Sequence, residues 1–282
     1  MGMFSRSWSL AKASWGVLRQ DKELALLPLI SFLAWIAVAA TFLFPIALVA
    51  NDAAEQDSWT SNPVTWVLAF AFYVAASYVM IFFNAAIVCG ADERMRGGDP
   101  TLGSAIKGAA DRAMVLLPWA IVSATVSLVL RAIEQRAGIV GRIVAGLIGL
   151  AWSLVTFLVI PVLVVEGISV GQAIKRSTSL FKGVWGEQVV TNGGISLISF
   201  AAIIVGAIVT IPFFALGGVF ALLGIAALVA WVGLVLCASA ALSGVFQLAL
   251  YRYAVDGRVP GFDEDLMRNA FRPRGERGGW LN

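Results

Sequence analysis

Charged side chains are so sparse along this chain that the apolar stretches between them stand out as elements. They run Leu24 to Asn51, Ser58 to Ala91, Ala113 to Leu130 and Ile143 to Val165, and then 64 residues from Gln188 to Tyr251 carry no charge at all. A membrane span needs about 20 apolar residues, so each of the first four stretches predicts one helix and the long run must turn at least once. Pro212 with Gly217 and Gly218 supplies the turn and divides that run into two spans, giving six helices. The first stretch is too long for a signal-peptide core and follows some twenty residues of amphipathic or polar sequence, so it reads as a retained span.

Between the spans lie short segments with helical periodicity. Phe4, Trp8, Ala11, Trp15 and Leu18 share one face while Arg6, Lys12 and Arg19 lie off it, the pattern of a helix in the membrane interface. A second segment begins at Asp99-Pro100, a cap followed by proline at the first helical position. In a third, Ser169 with Gln172 forms a capping box, and Ile174, Phe181 and Val184 oppose Lys175, Arg176 and Lys182. The segments echo one another: Ser7 to Gly16 matches Ser177 to Gly186 at six of ten positions, and Leu102 to Lys107 resembles Val170 to Lys175. Leu26-Leu27-Pro28 likewise recurs as Leu116-Leu117-Pro118. The predicted fold is therefore all-α and polytopic, six transmembrane helices in three repeated units (about 1–90, 91–165 and 166–255) of amphipathic segment plus helical hairpin, with a tail over 256–282.

Composition agrees with lipid as the main solvent: 60% hydrophobic residues, 13% charged and a mean hydropathy of +0.87. With six spans and an inner N-terminus, 17 of the 20 Lys and Arg fall on the cytoplasmic side, leaving Arg131, Arg136 and Arg142 outside. The positive-inside rule then places both termini in the cytoplasm. Trp59 and Trp66 outside, with Trp8, Trp15 and Trp185 inside, suit interfacial belts.

Pro161 to Gly167, then Ala173 to Ser177 and the Lys182-Gly183 turn, resemble the recurrent signature of uncharacterised six-helix bacterial membrane proteins. The membrane domain fused to some glycerophosphoryl diester phosphodiesterases is similar, as is the opening from Arg6 to Pro28 to one of these families. The resemblance implies the fold and a bacterial inner-membrane location. It carries no catalytic residues, and this chain has no phosphodiesterase domain to carry the activity.

Candidate chemistry is thin. Histidine is absent, which removes the commonest general base and metal ligand, and every Asp falls in a loop, a tail or a helix end. Cys89 and Cys237 read as buried small hydrophobes. No enzyme activity, cofactor, metal or nucleic acid is expected. Interior polar groups such as Asn84, Ser77, Thr125, Thr156, Thr191, Asn192 and Gln247 read as helix-to-helix hydrogen bonds more readily than as substrate ligands. Gly141, Ala145, Gly149 and Ser153 form a small-residue packing stripe every four residues, as do Gly233, Cys237 and Ala241. Arg131 and Glu134 are spaced as a surface i,i+3 pair.

The candidate lipid or partner contacts are Lys12, Lys107, Lys175, Arg176 and Lys182, on the polar sides of the amphipathic segments. Glu166, at the end of the fourth span, is the candidate structural ion pair with Lys175 or Arg176, or with a cytoplasmic base from another unit, with a solvated helix-end carboxylate as the alternative. The function expected is a non-enzymatic membrane protein that organises lipid or recruits a cytoplasmic protein partner. The alternative is a passive channel or carrier for a small or lipid-like molecule. Either is compatible with a homo-oligomer.

Overall fold

The structure, a computed structural model, describes residues 23–54, 63–136, 138–183, 188–216 and 218–257. The first amphipathic segment with Lys12, the Trp59 and Trp185 positions and the arginine-rich tail lie outside the described residues, and Lys182 is described in its backbone alone. Among the described residues the chain is all-helical, without a strand. A 3-10 turn at Leu24–Leu26 leads into α1 (Leu27–Ala54), followed by α2 (Pro63–Met95), α3 (Leu102–Ala110) and α4 (Ala113–Arg136). Next come α5 (Ile139–Thr156), α6 (Val159–Glu166), α7 (Val170–Gly183), α8 (Gln188–Leu216) and α9 (Gly218–Asp256). The order of one short amphipathic helix followed by two long apolar stretches occurs at α3 to α6 and again at α7 to α9.

Four elements are long and apolar enough to cross a membrane: α2, α4, α5 with α6, and α9. Shorter apolar helical stretches occur at Leu27–Phe42 in α1 and Ser199–Phe213 in α8. In the most apolar window of those four elements between 11% and 33% of residues are buried, so most of that apolar surface faces away from protein. Lipid is the solvent in which such a surface carries no penalty.

The turn in the long run falls at Gly218, whose φ of +55° lies in the left-handed region open to glycine. Pro212 does not make the turn; it sits inside α8, as Pro45 and Pro118 sit inside α1 and α4. The fourth apolar stretch is not one helix either. It breaks at Phe157 and Leu158, because Pro161 lacks an N–H and its ring crowds the carbonyl one turn earlier, which is that of Phe157.

The chain packs as two compact units. One comprises Leu29–Cys89 and Gly103–Thr178. Here Phe72 of α2 makes ring contacts with Trp35 and Phe42 of α1, at 6.4 and 5.7 Å between centroids, and Trp119 of α4 stacks on Trp152 of α5 at 6.0 Å. The guanidinium of Arg131 lies over the Tyr73 ring, 5.7 Å from its centre. The core of this unit includes Ala145, Leu116 and, apart from Ile160, the run Leu158 to Val164, all buried.

The other unit comprises Met1–Pro28, Gly90–Leu102 and Ser179–Asn282. Its α8 and α9 form an antiparallel hairpin in which Ser199 and Ser239 share a hydrogen bond of 2.5 Å and Trp231 Nε1 donates to Ala202 O at 2.9 Å. From Gly244 to Tyr251 nearly every residue of α9 is buried, whereas Val219, Leu222, Val229 and Leu234 earlier in the helix are exposed. A helix of 39 residues rises about 58 Å, nearly twice a hydrocarbon core of about 30 Å, which is consistent with one end clad in protein and the other bare.

Candidate functional site

The residues of the sequence signature converge where α6 turns into α7. Gly167 ends α6 with φ +64°, the left-handed cap that lets the chain reverse, and its N–H donates to Leu163 O at 3.2 Å. Ser169 then starts α7: its N–H and its hydroxyl both donate to Gln172 Oε1, at 3.3 and 3.0 Å. This is the reciprocal half of the predicted capping box, with the serine hydroxyl spent on the glutamine rather than on the helix.

Ser177, fully buried on α7, completes the break in the fourth stretch. Its Oγ accepts from Leu158 N–H at 3.2 Å and donates to Val155 O at 2.6 Å. Leu154 O, the ordinary acceptor for Leu158 N–H, is taken by Phe157 N–H in a tightened 3-10 turn, so the hydroxyl supplies the missing partner. One side chain thereby fixes α7 against the α5–α6 junction.

The charges of the elbow are partly committed. Glu166 Oε1 accepts from Arg176 Nε at 3.0 Å, so of the two bases the sequence offered, Arg176 is the partner. Lys175 stays exposed on α7, and Lys107 stays exposed in the last turn of α3. Arg112, which the sequence did not single out, lies against the elbow: a Cβ added to Gly167 would stand 2.3 Å from its Nη1. The signal that was available is the pairing of a glycine cap with a base at the start of the neighbouring span, but nothing in the spacing says the two meet.

The small-residue stripe lies on α5. Ala145 is fully buried, Gly149 faces Leu130 of α4, and Ser153 donates to Leu150 O at 2.8 Å. A Cβ at Gly149 would find Leu130 Cδ1 at 3.8 Å, ordinary contact, so this seam does not need glycine. Tighter glycine contacts occur elsewhere, among them Gly108 against Cys89 and Gly206 against Trp231. Asn84 and Gln247, expected to bond between helices, instead hold buried side-chain oxygens with no partner among the described residues.

A second charged cluster belongs to the unit containing α9. Arg252 donates to Asp92 Oδ1 through Nε at 3.0 Å and Nη2 at 2.5 Å, while Arg96 reaches Oδ2 at 2.6 Å. Arg252 also reaches Asp256 at 3.3 Å, and Glu23 Oε2 accepts from Leu102 N–H at 2.7 Å, capping α3. The Arg252 and Asp92 side chains are 19% and 13% exposed, so removing one strands the other in a poor solvent. We expect Arg252→Gln to destabilise the protein by about 2 kcal/mol, less than for a fully buried pair because Arg96 remains on Asp92. A double-mutant cycle with Asp92→Asn in detergent unfolding should show losses well short of additive; additive losses would mean the pair does not couple.

An all-helical chain with several helices able to cross a membrane, closed by basic elbows, is what these features define. The chain belongs to the family of unknown function DUF6159, whose model matches residues 63–262, more than two thirds of its length. No curated protein and no solved structure matches it. Among the described residues no group of three or more His, Cys, Asp or Glu is placed to hold a metal ion.

Proposed function

We propose that this is a non-enzymatic, six-span membrane protein, of a bacterial inner membrane, with both termini in the cytoplasm, that organises anionic lipid or holds a protein partner at its basic cytoplasmic face. The observation that carries the reading is the distribution of charge against burial. Apolar side chains are exposed along the spans, while Lys107, Lys175 and Arg112 gather at the elbows where spans end. The six spans rest on the four long apolar helices together with the shorter apolar stretches in α1 and α8. The three-unit repeat rests on the sequence echoes and on the twice-repeated element order. Likeness to the phosphodiesterase-fused membrane domain rests on the signature residues and brings no activity with it.

Two measurements test this. In a background lacking Cys89 and Cys237, cysteines placed at Ser58 and Gly275 should react with an impermeant thiol reagent from opposite sides of the membrane, and reaction from one side would exclude six spans. Replacing Lys12, Lys107 and Lys175 by glutamine should weaken binding to phosphatidylglycerol-containing bilayers by about a hundredfold, at about 1 kcal/mol per basic residue near an anionic surface. Arg176 is left intact in that variant because it holds Glu166.

The alternative of a passive conduit is favoured by one observation, the unpartnered buried oxygens of Asn84 and Gln247. A buried polar group without a protein partner, one in each compact unit, is a place where a passing molecule would find a hydrogen bond. Flux of a small polar solute into proteoliposomes, lost in Asn84→Leu and Gln247→Leu, would replace the first reading with this one.

A further inference from the structure

We infer that Arg112 is the residue at the α6–α7 elbow that binds the phosphate of an anionic phospholipid headgroup. This rests on the membrane reading above and names the ligand chemistry and the cation of that face. Arg112 precedes α4, and Gly167 follows α6, so the point where they touch marks the shared end of two membrane-length elements. In the six-span reading that end lies at the headgroup level.

Arg112 is half-buried as a residue, and among the described residues no carboxylate is in an ion pair with it. The nearest acid in sequence to its resting place, Glu166, is committed to Arg176. Burial without a counter-charge is costly, and a guanidinium offers a planar fork of donors suited to two phosphate oxygens. Gly167 keeps the place open, since any side chain there would collide with Nη1 and would also have to adopt φ +64°. Over 102–112 and 166–176 the sequence carries four bases, Lys107, Arg112, Lys175 and Arg176, against two acids, Asp111 and Glu166, a surplus of cations that attracts an anion. A purely structural arginine, set at the C-terminal end of α6 to offset its dipole, is the competing account.

The test uses the full chain in nanodiscs of equimolar phosphatidylcholine and phosphatidylglycerol, with spin-labelled lipid reporting relative affinity. Wild type should prefer phosphatidylglycerol, Arg112→Gln should lower that preference about fivefold, and Arg112→Lys should lower it less. Gly167→Asn keeps the charge and tolerates the left-handed backbone, yet fills the place of the guanidinium, so it should lower the preference as well and guards against a misfolded Arg112→Gln. Inorganic phosphate is added in a parallel arm. Displacement of labelled lipid only at salt-like concentrations supports the lipid; tight phosphate binding without lipid preference would overturn the assignment to lipid. If Arg112→Gln and Gly167→Asn keep the full preference while Lys107→Gln and Lys175→Gln lose it, Arg112 is structural and the broader reading stands. If wild type shows no preference at all, both fall.

Discussion

Alanine at Gly206 should open the α8–α9 hairpin, even though a glycine inside a helix is ordinarily improved by that change. An added Cβ would stand 2.0 Å from Trp231 Cδ1 and 2.4 Å from its Nε1, so the indole must leave its place. An aromatic ring with two torsions cannot give way as the end of a flexible chain does, and its Nε1 would lose Ala202 O. Overpacking costs about 1–3 kcal/mol and the hydrogen bond about 1 more, against a helix-propensity gain of about 1 kcal/mol for leaving glycine. The clash wins, and Gly206→Ala is expected to destabilise by about 2 kcal/mol in detergent unfolding followed by circular dichroism. Gly146→Ala provides the contrast, because nothing lies within 4 Å of its added methyl; it should be neutral or slightly stabilising. Adding Trp231→Ala should recover part of the Gly206→Ala loss. Equal, stabilising effects of Gly206→Ala and Gly146→Ala would show that the indole does not pack there.

What the sequence made legible follows from the range of each signal. Hydrophobic runs are local, so the start of α4 at Ala113 and the division of the long run near Gly218 could be read from charge and glycine positions alone, while the end of α4 runs past Leu130 to Arg136. The elbow was legible for the same reason, since Ser169, Gln172, Glu166 and Arg176 act within ten residues of one another. Contacts between elements were not. Arg131 with Tyr73, Arg112 with Gly167 and Asp92 with Arg252 join residues whose spacing carries no periodicity. The expectation that Gly149 marks a close backbone approach treated small residues as a sufficient signal. Close approach depends also on what stands opposite, and a leucine end stands there.

Proline gave a mixed signal for a similar reason. Pro45, Pro118 and Pro212 lie inside continuous helices, whereas Pro161 follows a break at Phe157 and Leu158. A proline always removes one backbone bond, but whether the helix parts depends on what can satisfy the freed groups. At the break before Pro161 a hydroxyl from another helix takes the Leu158 N–H and donates to the Val155 carbonyl, and that partner is 19 residues from Leu158.

Ser177 is accordingly where the largest loss in the elbow is expected. It is fully buried and serves two backbone groups at once, the Leu158 N–H at 3.2 Å and the Val155 carbonyl at 2.6 Å. Ser177→Ala leaves a cavity smaller than a water molecule and strands both groups in an apolar site that includes Leu158, Val159 and Val162. At about 1–3 kcal/mol for each stranded group, partly relieved if the break anneals toward regular helix, the expected loss is about 3 kcal/mol. Ser177→Thr keeps the hydroxyl and should lose less, its cost coming only from fitting a methyl. Hydrogen exchange provides the sharper readout, since amides from Leu158 to Val164 should lose protection in Ser177→Ala while those of α9 do not. Ser177→Ala with unchanged protection at Leu158 would mean that the α5–α6 break is held by Pro161 alone, and that α7 is free to move against it.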